Sequence, residues 1–375
     1  MAIMQPIEQF CCQNKECEDY GIRGKDNLSF RGWSGRGKRI RMIFCSTCSA
    51  HFSERKGTVL EQSRLSKEKA ISILNHIQEG CGTRSTSRLV GVDKNTVTRY
   101  VRLAGDHAIK MHDELVSVSP QTKEVQLDEK WSFVGKKKDE ESEKDESAVP
   151  CCGQNWDHTA IDAESRLLLS LIPGRRTAEN CLKLIEDVKK RTGGRTDILI
   201  TSDEHAPYTS AIEQVYAQEV LQSKRPGRGR PPKPKKIMPE NLCYATVCKK
   251  REKGRVVDVV KTIVFGTVTL LLNFLGISMA SNTINTSFVE RNNGTDRAQN
   301  ARKVRKTYRF SKDWDTHNAA SFFICFSYNF CWPVRTLRQK DSESNWHNRT
   351  PAMAAGLADH IWSLEEWLCY PVPAG

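Results

Sequence analysis

Glu124 to Phe133 reads EVQLDEKWSF. Val125 and Leu127 alternate with Glu124, Gln126 and Asp128, a period of two that predicts a β-strand. Side chains of consecutive strand residues point to opposite faces, so only one of Asp128 and Glu129 is expected to serve a given site. Downstream, Trp156 to Ile161 and Arg166 to Ile172 read as two further strands joined by a turn at Asp162–Ser165. Thr177 to Arg191 has the spacing of an amphipathic helix. After Gly193–Gly194 the apolar, β-branched run Asp197 to Thr201 predicts a buried strand, with Asp203 just past its end. Open α/β sheets place their chemistry at the carboxyl ends of strands, so Asp203 is a candidate functional residue.

A second acidic stretch lies far downstream. Thr286 to Arg305 reads TSFVERNNGTDRAQNARKVR and is expected to be helical. Such a helix puts Glu290 and Arg297 on one face. Arg291, Arg302, Lys303 and Arg305 add positive charge. An acid set among Asn and Arg can hold a metal while the guanidinium groups grip phosphates. Asp157, Asp162 and Glu204 are of the same residue type and read as ordinary structural or surface acids.

Two low-complexity segments interrupt this region. Lys136 to Ser147 (KKKDEESEKDES) is a mixed charge run, read as a solvated hairpin tip. Arg225 to Lys236 (RPGRGRPPKPKK) is too rich in Pro and Gly for a helix or a central strand. It reads as a flexible basic linker. Gly227-Arg-Gly-Arg-Pro also resembles an AT-hook core, which would place Arg228 and Arg230 in a minor groove. Lys261 to Thr267 reads as a strand and Val268 to Leu275 as a short helix, rather than as one membrane span.

The N-terminal region has a different character. Cys12-x4-Cys17 and Cys45-x2-Cys48 form two pairs flanking FRGWSGRGKRIRMIF, a stretch suited to a basic hairpin. Four thiolates on two knuckles can close a tetrahedral zinc site. Free buried cysteines are the alternative, and Cys11 could take the place of Cys12. Next, Lys67 to Gln78, Arg84 to Val90 and Lys94 to about Ala104 read as three helices, with Gly91 in a turn and Asp93 as a cap. Val97, Tyr100 and Val101 would face inward. Lys94, Asn95, Thr96, Thr98, Arg99 and Arg102 would face out. A helix, a Gly-containing turn and a helix with polar N-terminal residues is the helix-turn-helix layout that enters a major groove. A plain three-helix bundle is the alternative.

The composition fits this division. Against 45 acidic residues stand 58 Lys and Arg, a formal net charge of +13. That balance favours a polyanionic partner, nucleic acid or an anionic membrane surface. The 14 cysteines come with no secretion signal, so reduced thiols or metal ligands are expected. A cytoplasmic, nucleoid-associated protein with no membrane contact is the expectation. Four zones follow: a zinc-ribbon module (1–60), a helix-turn-helix module (64–108), an α/β catalytic domain (122–335) with a basic insert (218–262), and a helical, Trp-rich tail (336–375).

Taken together, Asp128-Glu-Lys-Trp-Ser-Phe-Val-Gly, Thr201-Ser-Asp-Glu and Asn285-Thr-Ser-Phe-Val-Glu-Arg-Asn-Asn resemble the DDE motifs of bacterial insertion-sequence transposases of the insertion-sequence-one type. Cys45-Ser-Thr-Cys with Phe52-Ser-Glu-Arg-Lys-Gly-Thr, and Tyr328-Asn-Phe-Cys-Trp-Pro-Val-Arg-Thr-Leu-Arg, are similar to that family as well. The resemblance implies a ribonuclease-H-like core: a mixed sheet with helices on both sides, two aspartates on adjacent strands, and a glutamate arriving on a helix. It implies Asp128, Asp203 and Glu290 as the catalytic, metal-holding acids. The stretch from Asp203 to Glu290 departs from the compact spacing of many such enzymes. The implied cofactors are two Mg²⁺ or Mn²⁺ ions about 4 Å apart, with structural Zn²⁺ at the cysteines. The implied partners are double-stranded DNA, as transposon ends and target, and further copies of the chain in a homodimer or larger synaptic assembly. The implied reaction is strand cleavage followed by strand transfer. A catalytically inactive, transposase-derived DNA-binding regulator is the competing expectation, and a metal nuclease without strand transfer is a third.

Overall fold

The computed structural model describes residues 5–35, 40–118, 121–135, 152–220, 234–304 and 307–373. The charge run at Lys136 to Ser147, Cys151, and Arg228 and Arg230 of the basic insert lie outside the described residues. Along the chain come β1 (Leu28–Ser34), β2 (Ile40–Cys45) and β3 (His51–Ser53), then α1 (Lys67–Gln78), α2 (Thr83–Val90) and α3 (Lys94–Leu115). Next are β4 (Glu124–Val134), β5 (Gly153–Asp162), β6 (Leu168–Gly174), α4 (Ala178–Arg191), β7 (Leu199–Ser202) and α5 (Ala206–Tyr216). A short pair, β8 (Gln218–Val220) and β9 (Lys235–Ile237), precedes the long hairpin β10 (Cys243–Glu252) and β11 (Arg255–Phe265). The chain continues with α6 (Val268–Ile277), α7 (Ser287–Gln299), α8 (Trp314–Cys331), β12 (Gln339–Lys340), β13 (Trp346–His347), α9 (Pro351–Ala354) and α10 (Leu364–Cys369). The fold class is mixed α/β. No helix of the described residues is long and apolar enough to cross a membrane.

Two compact units are present. One consists of Val116–Asp296 with Ala354–Leu357. Its six-stranded sheet has the order β11-β10-β7-β4-β5-β6. β4, β5 and β6 are antiparallel to one another, β7 is parallel to β4, β10 is parallel to β7, and β11 is antiparallel to β10. The alternation read from EVQLDEKWSF holds, but both faces of β4 are covered. The face bearing Glu129 meets α4 and α5, where Cys181 and His205 approach it. The face bearing Gln126, Asp128 and Lys130 meets α7. Farther along the sheet Leu199, Cys243, Ala245 and Val247 pack with Leu271 of α6 and with Ile284.

The other unit consists of Met1–Leu115, Arg297–Met353 and Ala358–Gly375. The three-stranded sheet β1-β2-β3 packs Ile43 and Phe52 against Phe10. The spacing predicts an apolar face of Ala70, Ile71, Leu74 and Ile77 on α1; Ala70, Leu74 and Ile77 are buried with Ile73, while Ile71 is half-buried, and in α3 Val97, Tyr100 and Val101 are buried as expected. Gly91 closes α2 in the left-handed region, φ 67°. Instead of ending near Ala104, α3 continues to Leu115. Beyond Ala104 its apolar stripe goes on through Ala108 and Met111, and it packs along α8. A methyl group on Gly105 would come within 2.6 Å of Ala319 O, so the close crossing of α3 and α8 requires glycine.

Two further expectations need correction. The helix over Thr286 to Arg305 stops at Gln299, because Asn300 turns the chain: its side chain accepts from Arg302 N at 3.1 Å and its carbonyl from Lys303 N at 2.9 Å. Arg302 therefore lies beyond the helix and Lys303 is buried. Thr350 to Trp367 is not one helix either. Short α9 and α10 are separated by a loop in which Gly356 has φ 74°, a conformation that ends a helix. Trp367, in α10, is fully buried against His107 and Phe323.

Candidate metal centres and nucleic-acid interface

β4 and β7 pair from Glu124↔Leu199 to Gln126↔Thr201. β7 then ends at Ser202, leaving β4 unpaired on that side at the level of Asp128. Asp203 emerges there, and its Oδ1 accepts from His205 N at 3.1 Å at the start of α5. Asp128, Glu129 and Asp203 each bring a carboxylate oxygen within 4.8 Å of the others. This corrects the expectation that only one of Asp128 and Glu129 reaches a site. Among the described residues no strand pairs with β4 on its β7 side past Gln126, and acids from both faces converge on the open end of β7. Asp128 also folds along the strand, its Oδ1 accepting from Glu129 N at 2.9 Å.

Three ties dock α7 on alternate residues of β4. Gln126 Oε1 accepts from Phe288 N and Val289 N at 3.0 and 3.3 Å, closing off the free amides of the helix N-terminus. Asn293 Nδ2 donates to Asp128 Oδ2 at 2.7 Å. Lys130, fully buried, pairs with Asp296, and with Asp157 at 3.4 Å. The strand advances about 6.7 Å per two residues and the helix about 5.3 Å per three and a half, so the two ladders stay close to register over this span. This docking puts Glu290 in the cleft that Asp128 and Asp203 line, a space of about 590 Å³. Glu290 does not join the cluster of three acids. Its Oε1 accepts from Thr286 Oγ1 at 2.7 Å and pairs with Lys249 Nζ.

Electrostatics single out Asp128. Burial, then the neighbouring Glu129 and Asp203 charges, push its carboxyl up from an ordinary 3.8 to about 6, against the Asn293 hydrogen bond. Burial and Asp203 raise Glu129 also, opposed by Tyr208 and Arg176, whose Nη2 lies 3.0 Å from Glu129 Oε2. Basic Arg176, Lys249 and Arg251 share the cleft wall with the acids. None of these three, nor Gln126 and Asn293, was singled out from the sequence. Gln126 and Asn293 were the discoverable ones, standing one strand repeat before Asp128 and one helical turn after Glu290. Asp157 and Asp162 have structural partners, Lys130 for the first and Thr122 with the Glu164 amide for the second.

In the other unit the thiols of Cys12, Cys17, Cys45 and Cys48 all lie within 4.8 Å of one another. Cys12 and Cys48 are 3.7 Å apart, and Cys17 and Cys45 are 4.0 Å apart. Cys11 is not in this group; its sulfur accepts from Gln13 Nε2 at 3.3 Å. At the start of α3 Lys94, Asn95 and Arg99 are exposed and Thr96 is half-buried. Arg291 is exposed and Arg297 half-buried on α7. Arg302 is half-buried, with Nη2 donating to Thr83 Oγ1 at 2.9 Å.

Solved structures align with part of this chain at low overall similarity. A Mos1 strand transfer complex is 13% identical over 40% of this chain and 55% of that chain, with TM-score 0.16. A pre-cleavage Mos1 transpososome is 10% identical over 41% and 58%, with TM-score 0.17. A Mos1 mariner paired-end complex with Mg is 11% identical over 41% and 56%, with TM-score 0.16. This chain thus spans little more than half the length of those chains. No family model matches the chain, and no curated protein does.

Proposed function

We propose that this chain is a DDE-type DNA transposase of the insertion-sequence-one kind, with a ribonuclease-H-like catalytic core. One observation carries the reading: Asp128 on β4 and Asp203 at the end of the parallel neighbour β7 present their carboxylates to each other, with Glu290 on α7 in the same cleft. The strand order supports it, three antiparallel strands followed by two parallel ones.

The residues fit hard divalent cations. The donors are all oxygens, which Mg²⁺ and Mn²⁺ prefer. Asp128, pushed up to about 6 by burial and by two like-charged neighbours, gains from any cation placed among them. Asp128, Asp203 and Glu290 would hold the two ions, and Glu129 stands within reach of the first two. Bound there, the metals supply Lewis-acid stabilisation of the charge on the attacking and leaving oxygens of a phosphodiester. The protein's own groups do the rest. Asn293 orients Asp128, and Gln126 fixes the helix that carries Glu290. Arg176, Lys249 and Arg251 offer positive charge to the DNA backbone along the cleft. Water would be the nucleophile for cleavage of the transposon end. The freed 3′-hydroxyl would then attack target DNA at the same site.

In this reading residues 1–60 form a zinc ribbon, with Cys12, Cys17, Cys45 and Cys48 on one Zn²⁺. Residues 64–108 form a helix-turn-helix in which Lys94, Asn95, Thr96 and Arg99 face the DNA. Residues 122–335 are the catalytic domain with its insert at 218–262, and residues 336–375 are the tail. Arg228, Arg230, Arg291, Arg297 and Arg302 are further candidates for phosphate contact. Arg302 is the weakest of them, since its guanidinium is engaged with Thr83. Two copies would hold the paired ends. The test uses the full chain with Mn²⁺ and DNA carrying the element's ends. Cleaved and joined products that vanish in Asp203→Asn support the transposase. Cleavage without joining supports a nuclease. DNA binding by the wild type without any cleavage supports the regulator and ends the enzymatic reading.

A further inference from the structure

Lys249 projects from β10 into the cleft and places its ammonium on Glu290, the one acid of the proposed triad outside the carboxylate cluster. The lysine holds Glu290 Oε1, so a metal ion that takes this oxygen, or that draws the carboxylate toward Asp128 and Asp203, competes with it. The pair is easily broken: its side chains are 29% and 47% exposed, and exposed ion pairs contribute little. A released ammonium on the cleft wall needs a new anion. The cleft is open, and the ligand proposed for it is a DNA backbone, a row of phosphates.

We propose that Lys249 is a positioning residue that couples metal binding to DNA binding. Without DNA it holds Glu290 as a counter-ion and competes with the metal. With DNA in the cleft the ammonium moves to a phosphate, and Glu290 is free to complete the metal site. By linkage, DNA then raises metal affinity and metal raises DNA affinity by the same factor. The benefit is a site that does not assemble fully around metal until its substrate is present. This inference rests on the transposase reading of the same cleft.

Mn²⁺ binding, followed by electron paramagnetic resonance on the full-length protein with and without duplex end DNA, tests the coupling. For the wild type, Mn²⁺ affinity should rise on adding DNA. In Lys249→Ala the DNA-free affinity should already be roughly two- to fivefold tighter than wild type, the range an exposed ion pair supplies, and the response to DNA should shrink by the same factor. Lys249→Arg should restore the wild-type response. Lys250→Ala removes the same charge from the next residue of β10, where the ammonium pairs with Asp258 and not with Glu290, and should keep it as well. Equal DNA-free affinities in wild type and Lys249→Ala would overturn the coupling while leaving the catalytic reading standing. An equal gain in Lys250→Ala would also overturn it, since general charge would then be the cause. If the wild type binds no Mn²⁺ with or without DNA, the catalytic reading itself fails.

Discussion

Asp128 sits where a carboxylate is uncomfortable until a cation joins it. Its folded-state value of about 6 lies above the ordinary 3.8, so the folded chain binds this proton more tightly than the unfolded chain. The contribution to stability is therefore fully present below about pH 4 and is lost as pH rises through 6. Asp128→Asn removes that loss. In metal-free protein at pH 7 it is expected to raise unfolding stability by on the order of 2 kcal/mol, with the gain shrinking toward pH 4. Denaturant titrations at the two pH values check this, and a neutral or destabilising effect at pH 7 counts against it. The same substitution is expected to abolish cleavage, a trade of stability for function. Asp203 is readable as a candidate from its place at a strand end, whereas strand position leaves Asp128 and Glu129 as alternatives and the resemblance alone points to Asp128. The reach of Glu129 is not readable, because it depends on where the neighbouring strand stops.

The element that decides the site is α7 on β4. Lys130 is its fully buried charged tie, between Asp157 and Asp296. Lys130→Met leaves two buried acids without their shared cation and is expected to destabilise the protein by about 3 kcal/mol, as removing one partner of a buried pair does. A loss under about 1 kcal/mol in chemical denaturation would show that the acids are satisfied without it. A second test concerns α3 and α8. Gly105→Ala improves helix propensity by about 1 kcal/mol but forces a methyl into Ala319, so a net loss of about 1–2 kcal/mol is expected. A gain in melting temperature would mean the helices can part at no cost. Lys130 in a strand and Gly105 in a helix both break the local pattern. Neither anomaly names its partner, since Asp296 and Ala319 are far away in the chain.

For the whole molecule, the candidate metal donors separate by chemistry: four thiols in one unit, carboxylates in the other. Zinc analysis of purified protein is expected to give about one Zn²⁺ per chain, falling toward zero in Cys45→Ser while Mn²⁺ binding persists. Loss of both metals together in Cys45→Ser would contradict separate sites. What the chain determines without its fold is local: period-two and period-3.6 patterns, paired cysteines, caps and turns, and the acids at strand ends. These follow from backbone geometry that every residue shares with its near neighbours. The tertiary structure alone decided that Cys12 rather than Cys11 joins the thiol cluster, that Glu129 reaches Asp203, and that Lys249 occupies Glu290. Each depends on which side chains meet across elements distant in the chain, and packing, not periodicity, sets that distance.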